Sequence, residues 1–215
     1  MFKKGLLIIG ISSFVFSSCI EHEVIPPPEP TVDLYAHFYG EVNGAPIELT
    51  ENVLGYYLDC TTAKYILPPP SVSSAVYYSE MTSAQVATSV RIGMGSVAWD
   101  SNVSAEPTLT SFNSFFQAND LPNYSDDGLA GFEFTYKDGT GRVWTSNEAS
   151  TNIQDVEFTG IEQASDNAGD YSKFICNFEC YVYSLNPDSL ALTPPVAHVD
   201  SVQIENATFQ GWFQR

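Results

Sequence analysis

The sequence predicts a mostly β fold: a single antiparallel β-sandwich, immunoglobulin-like or jelly-roll-like, over residues 33–215, with one short helix. Three observations point there. Aromatic residues make up 13% of the 215 residues while Lys and Arg together number eight, and chains rich in aromatic and β-branched residues suit pleated, half-buried surfaces. Turn residues recur at short intervals between apolar runs, with no alternation of strand and long helix. Only the stretch after Pro107 has helical spacing.

Ahead of the domain, Lys3 and Lys4 precede an apolar run from Gly5 to Phe16, broken by Ser12 and Ser13 and followed by Ser17, Ser18 and Cys19. That order of charge, apolar core and small residues is a secretory signal, and the run is shorter than the roughly 20 residues of a membrane span. A cysteine directly after the small residues adds a lipidation reading, over plain cleavage or an uncleaved anchor. Residues 1–18 are therefore expected to be a lipoprotein signal peptide, with Cys19 carrying acyl chains, although Phe16 stands where an aliphatic is usual. Residues 19–32 form the tether, where Pro26-Pro27-Pro28-Glu29-Pro30 holds an extended path and sets the domain off the bilayer.

The domain opens with Leu34 to Val42, the turn Asn43-Gly44, and Ala45 to Leu49. Asn-Gly between apolar runs signals a hairpin because both residues tolerate positive φ. Two further stretches, Gly55 to Cys60 and Lys64 to Leu67, are stopped by Pro68-Pro69-Pro70, which no sheet interior accepts. Along Gln85 to Met94, the residues Val86, Thr88, Val90, Ile92 and Met94 alternate with smaller or polar ones, as in a half-buried strand. Leu109, Phe112 and Phe116 follow Pro107-Thr108 at helical intervals, with Asn119 able to end the turn, and such a helix would plug an end or face of the sandwich. Gly131 to Tyr136, the turn Lys137 to Gly141, and Arg142 to Thr145 make the clearest hairpin. Ile153 to Ile161, the turn Asp166 to Asp170, the long run Tyr171 to Leu185, and a terminal pair around Val199 to Glu205 and Ala207 to Phe213 complete the chain.

Losing residues 1–18 removes Lys3 and Lys4 and no acidic residue, so eight basic residues become six against 26 acidic ones and the formal charge moves from −18 to −20. Such a charge favours solubility and repels polyanions, which excludes a nucleic-acid role. The membrane, through the N-terminal lipid, is the expected contact.

Cys60, Cys176 and Cys180 fall on apolar strand faces. Cys176 and Cys180 would lie about 13 Å apart on one strand, too far to bridge each other. One of them could pair with Cys60, or all three stay buried and unpaired; the odd count leaves a free thiol either way.

Chemistry is sparse. Gly93-Met94-Gly95-Ser96-Val97 lacks the Gly-x-Ser-x-Gly order of a nucleophile elbow and reads as a strand-end turn. His37 and His198 show no zinc-ligand spacing and offer few options for a Ser-His arrangement. No cofactor and no metal are expected; the weak candidates for a cation are the loop carboxylates Asp126 and Asp127, and Asp166 and Asp170, whose residue types also serve turn geometry. Tyr181 and Tyr183 share a strand face, and with Trp144 they could form a platform that stacks sugar rings, unless both sheet faces are covered.

The Asn43-Gly44 hairpin, the Tyr-x-Asp-x-x-Gly-x-x-Trp hairpin at Tyr136 to Trp144, the Phe-x-Cys repeats at Phe174 to Cys176 and Phe178 to Cys180, and the closing Asn206 to Gly211 together resemble a group of uncharacterised Bacteroidota cell-envelope lipoproteins. The resemblance implies a β-sandwich at the cell envelope and supplies no activity; the outer membrane is the expected location. Glu21 and Glu23 resemble the acidic signals that carry such lipoproteins to the cell surface, while Asp188-Ser189-Leu190 and Asp200-Ser201-Val202 resemble their O-glycosylation acceptors. The expected function is a non-catalytic binding or adhesion module, with a glycan or an envelope protein as partner. The alternatives are a structural or accessory subunit of an envelope complex, pairing through edge strands, and a small glycan-processing enzyme.

Overall fold

The computed structural model describes residues 29–68, 70–186 and 198–215. The signal peptide, Cys19, the acidic pair Glu21 and Glu23, and Asp188-Ser189-Leu190 lie outside the described residues. Asn43 and Gly44, at φ of 50° and 76°, make the expected tight turn between β1 (His37–Val42) and β2 (Ala45–Thr50). The remaining elements are β3 (Tyr56–Tyr65), β4 (Ser73–Ser83), β5 (Ser89–Trp99), α1 (Leu109–Ala118), β6 (Phe132–Lys137), β7 (Val143–Ser146), β8 (Gln154–Asp166), β9 (Gly169–Leu185) and β10 (Val199–Gln214). The chain is mostly β with one short helix, as its residues predict.

The strands form one continuous antiparallel sheet in the order β2-β1-β10-β9-β7-β6-β5-β4-β3, with β8 also on β9. β9 makes this possible. At 17 residues it extends about 55 Å, long enough for two partners along one edge: Gly169 to Cys180 pair with β8, while Val182 and Tyr183 pair with Ser146 and Thr145 of β7. The sheet curls until β3 and β4 lie over the end of β10. There the Cys60 thiol and the Ser79 hydroxyl both donate to the Trp212 carbonyl, at 3.2 and 2.6 Å.

The inner surface is packed with aromatic rings. Phe178 lies 4.6 Å from Phe134 and 5.6 Å from Phe132 between ring centres, close enough for edge and tilted ring contacts to add to the area they bury. Thr108 caps α1 by accepting from the Ser111 N–H at 3.1 Å. Phe112 of α1 then packs 5.0 Å from Tyr77, and Phe116 packs 4.6 Å from Phe213. The expected plug helix is thus seated against β4 and β10.

Four sequence expectations are corrected. The stretches Gly55 to Cys60 and Lys64 to Leu67 are one strand, β3, unbroken until Tyr65. The terminal pair is also one strand, β10, whose register shifts between Ile204 and Ala207, with Asn206 at φ 50°; a bulge absorbs the polar residues that looked like a turn. Gln85 to Thr88 belong to the preceding turn, and β5 starts at Ser89. Gly93 to Val97 lie inside β5, not at its end. Gly95 is required there by the neighbouring loop, because a Cβ would come within 2.3 Å of the Gly128 carbonyl.

All three described cysteines are free. Burial pushes the Cys60 and Cys180 thiols up to about 12 and the Cys176 thiol well above its ordinary value, which keeps them protonated and inert.

Candidate binding face

β1 sorts its side chains by alternation. Ala36, Phe38 and Gly40 point into the core, while Tyr35, His37 and Tyr39 point out. Register carries that outer surface across three more strands: Tyr39 faces Thr208, Thr208 faces Asn177 and Asn177 faces Glu157, with His37, Gln210, Ile175 and Thr159 forming the next row. Tyr35 is 48% and Tyr39 38% exposed. Tyr35 stacks beside the His37 ring, 6.4 Å between centres and 11° from parallel. His37 donates through Nε2 to Glu48 Oε1 at 2.9 Å, which fixes the imidazole plane.

Before β1, the segment carrying Asp33 and Tyr35 leaves a cavity of about 230 Å³ against the sheet. Glu162, Lys173, Gln210 and Trp212 line it, and Gly160 adds no side chain to it. Gly160 sits at φ 65° in a bulge between Thr159 and Glu162. Lys173 Nζ pairs with Glu162 at 3.1 Å. The segment is pinned by the Val32 N–H, which donates to Asp166 Oδ2 at 2.8 Å. That bond is the largest cause holding the Asp166 carboxyl below its ordinary range; the N–H groups of Ala168 and Gly169 and the Tyr171 hydroxyl add to it, against a smaller opposing effect of burial. Flat rings beside an amide, a carboxylate and an ammonium can stack on the apolar face of a sugar and hydrogen-bond its hydroxyls.

Two other depressions differ in character. A hollow of about 320 Å³ beside the β10 bulge is lined by Asp155, Glu157, Glu179, Asn177 and Thr208. Another of about 420 Å³ lies between residues 121–124 and the outer edge of β8.

The structure separates the aromatic residues singled out in the sequence. Tyr183 and Thr145 share a face by register, so Trp144, the next residue along β7, lies on the opposite one. Trp144 is 7% exposed; its ring is covered by the Arg142 guanidinium, 4.1 Å from the ring centre, and its N–H donates to Asp138. The Tyr181 hydroxyl donates to Gln203, and the Tyr183 hydroxyl meets Ser150 and Asn152. The carboxylates are also occupied locally. Asp126 accepts from the Glu148 N–H, Asp127 from Ser125 and Leu129, Asp166 from Val32 and Ala168, and Asp170 from Ser165 and Arg215. Among the described residues no three His, Cys, Asp or Glu side chains converge as a metal site.

Comparison with protein-family models, with curated proteins and with solved structures finds no match. The functional reading therefore rests on this geometry. Nothing in the sequence alone marks Tyr35 and Tyr39 as exposed. The alternation of Tyr35, His37 and Tyr39 with Ala36, Phe38 and Gly40 was the available signal, but which side faces solvent depends on what covers the strand.

Proposed function

We propose that the chain is a lipid-anchored outer-membrane protein whose domain is a non-catalytic binding module, taking a glycan on the outer face of β1, β10 and β9. One observation carries this reading: the exposed row of Tyr35, His37 and Tyr39 runs beside a cavity that joins the polar groups of Glu162, Lys173 and Gln210 to the apolar surfaces of Tyr35, Ile175 and Trp212. The two arms of the curled sheet would act as facing layers of a sandwich, a reading supported by the stacking of Phe38 of β1 on Phe134 of β6 at 6.3 Å. The test is a screen of immobilised oligosaccharides with the native chain and with Tyr35→Ala and Tyr39→Ala. Retention of a glycan that both variants lose, with unchanged thermal midpoints, supports the proposal; equal retention by all three proteins sinks it. Protease shaving of intact cells, beside a periplasmic control, assigns the membrane face.

A second reading has its own observation. Among the described residues β3 pairs only with β4, and past Tyr56, whose backbone bonds Asn52 and Val53, its other edge carries no strand along Tyr57 to Tyr65. An accessory subunit could add a partner's strand there. Cross-linking from Tyr57 or Asp59 positions to another envelope protein would favour this role over glycan binding.

A further inference from the structure

Ile66, Leu67, Val72 and Val103 are 65, 45, 60 and 79% exposed. They belong to two neighbouring connections, the one between β3 and β4 and the one between β5 and α1. The Leu67 N–H donates to the Ser73 hydroxyl at 3.1 Å, the Ser101 hydroxyl donates to the Leu67 carbonyl at 3.4 Å, and Ser73 faces Trp99 in register. Isolated exposed aliphatics are ordinary, but a cluster on adjoining loops is an apolar tip. Tyr65, 41% exposed, borders it, and the carboxylates on the same connections are engaged, Asp100 by the Asn102 backbone and side-chain N–H groups and Glu106 by Lys64 and Arg215. The four aliphatics thus present an apolar surface that suits hydrocarbon, with the tyrosine at its rim.

The position of the tip decides what it meets. Arg215, at the end of β10, pairs with Glu106 beside the tip loops at 3.3 Å and with Asp170 beside the β8–β9 turn at 2.6 Å. Lys64, just before the tip, also pairs with Glu106 at 3.1 Å. The same β8–β9 turn receives the incoming chain, since Asp166 accepts from Val32 and Asn167 bonds Glu29. The N-terminal segment thus joins the domain at the end that carries the tip. Cys19 lies ten positions before Glu29, and that length of chain reaches at most about 35 Å.

We infer that the tip formed by Ile66, Leu67, Val72 and Val103 seats in the interfacial layer of the bilayer that holds the acylated Cys19. The domain then docks end-on instead of standing clear of the membrane. This rests on the lipid-anchor reading above. The aromatic row of β1, on the side of the sheet, stays open to solvent in this pose.

The test uses the full lipidated chain in phosphatidylcholine vesicles, with a nitroxide label on Val103→Cys, on Leu67→Cys and, at the other end, on Thr140→Cys. Electron paramagnetic resonance compares collisions of each label with oxygen, which concentrates in hydrocarbon, and with a water-soluble nickel chelate. The expected result is a several-fold higher oxygen-to-nickel ratio at positions 67 and 103 than at position 140. Equal, aqueous ratios at all three, in protein that floats with the vesicles, overturn the docking while leaving the anchor intact. Protein that fails to float removes the anchor and the docking together.

Discussion

Tyr78 and Trp144 are roofed by guanidinium groups, Arg91 at 4.8 Å and Arg142 at 4.1 Å from the ring centres, whereas Tyr35, two residues before the first strand, and Tyr39 on it face solvent. The roofed rings are tied down in other ways as well. The Tyr78 hydroxyl donates to the Asp127 carbonyl, and Arg91 is held by Glu133, which is 5% exposed. Arg142 donates to the carbonyls of Ser184 and Leu185 and to Asp200. After Lys3 and Lys4 the chain has only six cations, and two of them close aromatic surface that water would otherwise reach. Where a ring is part of the fold it is covered; the open tyrosines lie near the sheet edges, Tyr35 and Tyr39 just before and on β1 and Tyr57 and Tyr65 on β3, and the first pair differs in standing beside a cavity.

Truncating rings in each class tests the division. The largest effect belongs to a ring with no open face: Phe178→Ala, among Phe38, Phe132 and Phe134, is expected to cost about 3–5 kcal/mol in urea unfolding. A cost no greater than that of Tyr39→Ala would erase the distinction. Next comes removal of a roof. Arg142→Ala leaves Trp144 open and two strand-end carbonyls without their donor, with an expected loss of about 1–2 kcal/mol and increased acrylamide quenching of tryptophan fluorescence. For the open rings the signs separate: Tyr35→Ala and Tyr39→Ala should stay within about 0.5 kcal/mol of the native stability, yet weaken oligosaccharide binding up to about tenfold each.

The smallest effect concerns the segment that presents Tyr35. Because the Asp166 carboxyl is held below its ordinary value by the Val32 N–H first, then by Ala168, Gly169 and Tyr171, its contribution is present above the unfolded pKa and is lost as pH falls through the folded one. Protection of the Val32 amide, measured against its intrinsic exchange rate at each pH, should therefore fall in acid, below the ordinary aspartate range, while amides of β9 keep theirs. Asp166→Asn should quicken Val32 exchange already at neutral pH. If protection at Val32 is independent of both, the carboxylate does not hold the segment.

Much of this architecture is legible in local sequence. Asn43-Gly44 encodes its turn through positive φ, and Phe112 and Phe116 mark the buried stripe of α1 with Thr108 as its cap. The alternation of Phe174, Cys176, Phe178, Cys180 and Val182 gives the inward face of β9. What escapes is anything set by strands distant in sequence. Nothing in Tyr171 to Leu185 announces that one edge serves two partners, and the polar pair Glu205-Asn206 looks like a turn until β1 and β9 hold both sides of the bulge. The candidate platform of Tyr181, Tyr183 and Trp144 divides for the same reason, because the face of Trp144 is decided by pairing of β7 with β9. Tyr35 and Tyr39 are distinguished from core tyrosines such as Tyr77 only by the absence of a covering element.

The edge that β9 divides between β8 and β7 has a mechanical side. Among the described residues the ladder crosses from β10 and β9 to the arm of β7, β6, β5, β4 and β3 through two residue pairs, Thr145 with Tyr183 and Ser146 with Val182. A seam two rungs wide resists shear weakly, so the angle between the arms depends on what spans them elsewhere: the rings of Phe134 against Phe178 and of Phe116 against Phe213, and the Cys60 and Ser79 bonds to the Trp212 carbonyl. Enlarging or trimming one of those rings would swing one arm about the seam as about a hinge pin, re-aiming the aromatic row of β1 relative to the apolar tip while every strand keeps its partners.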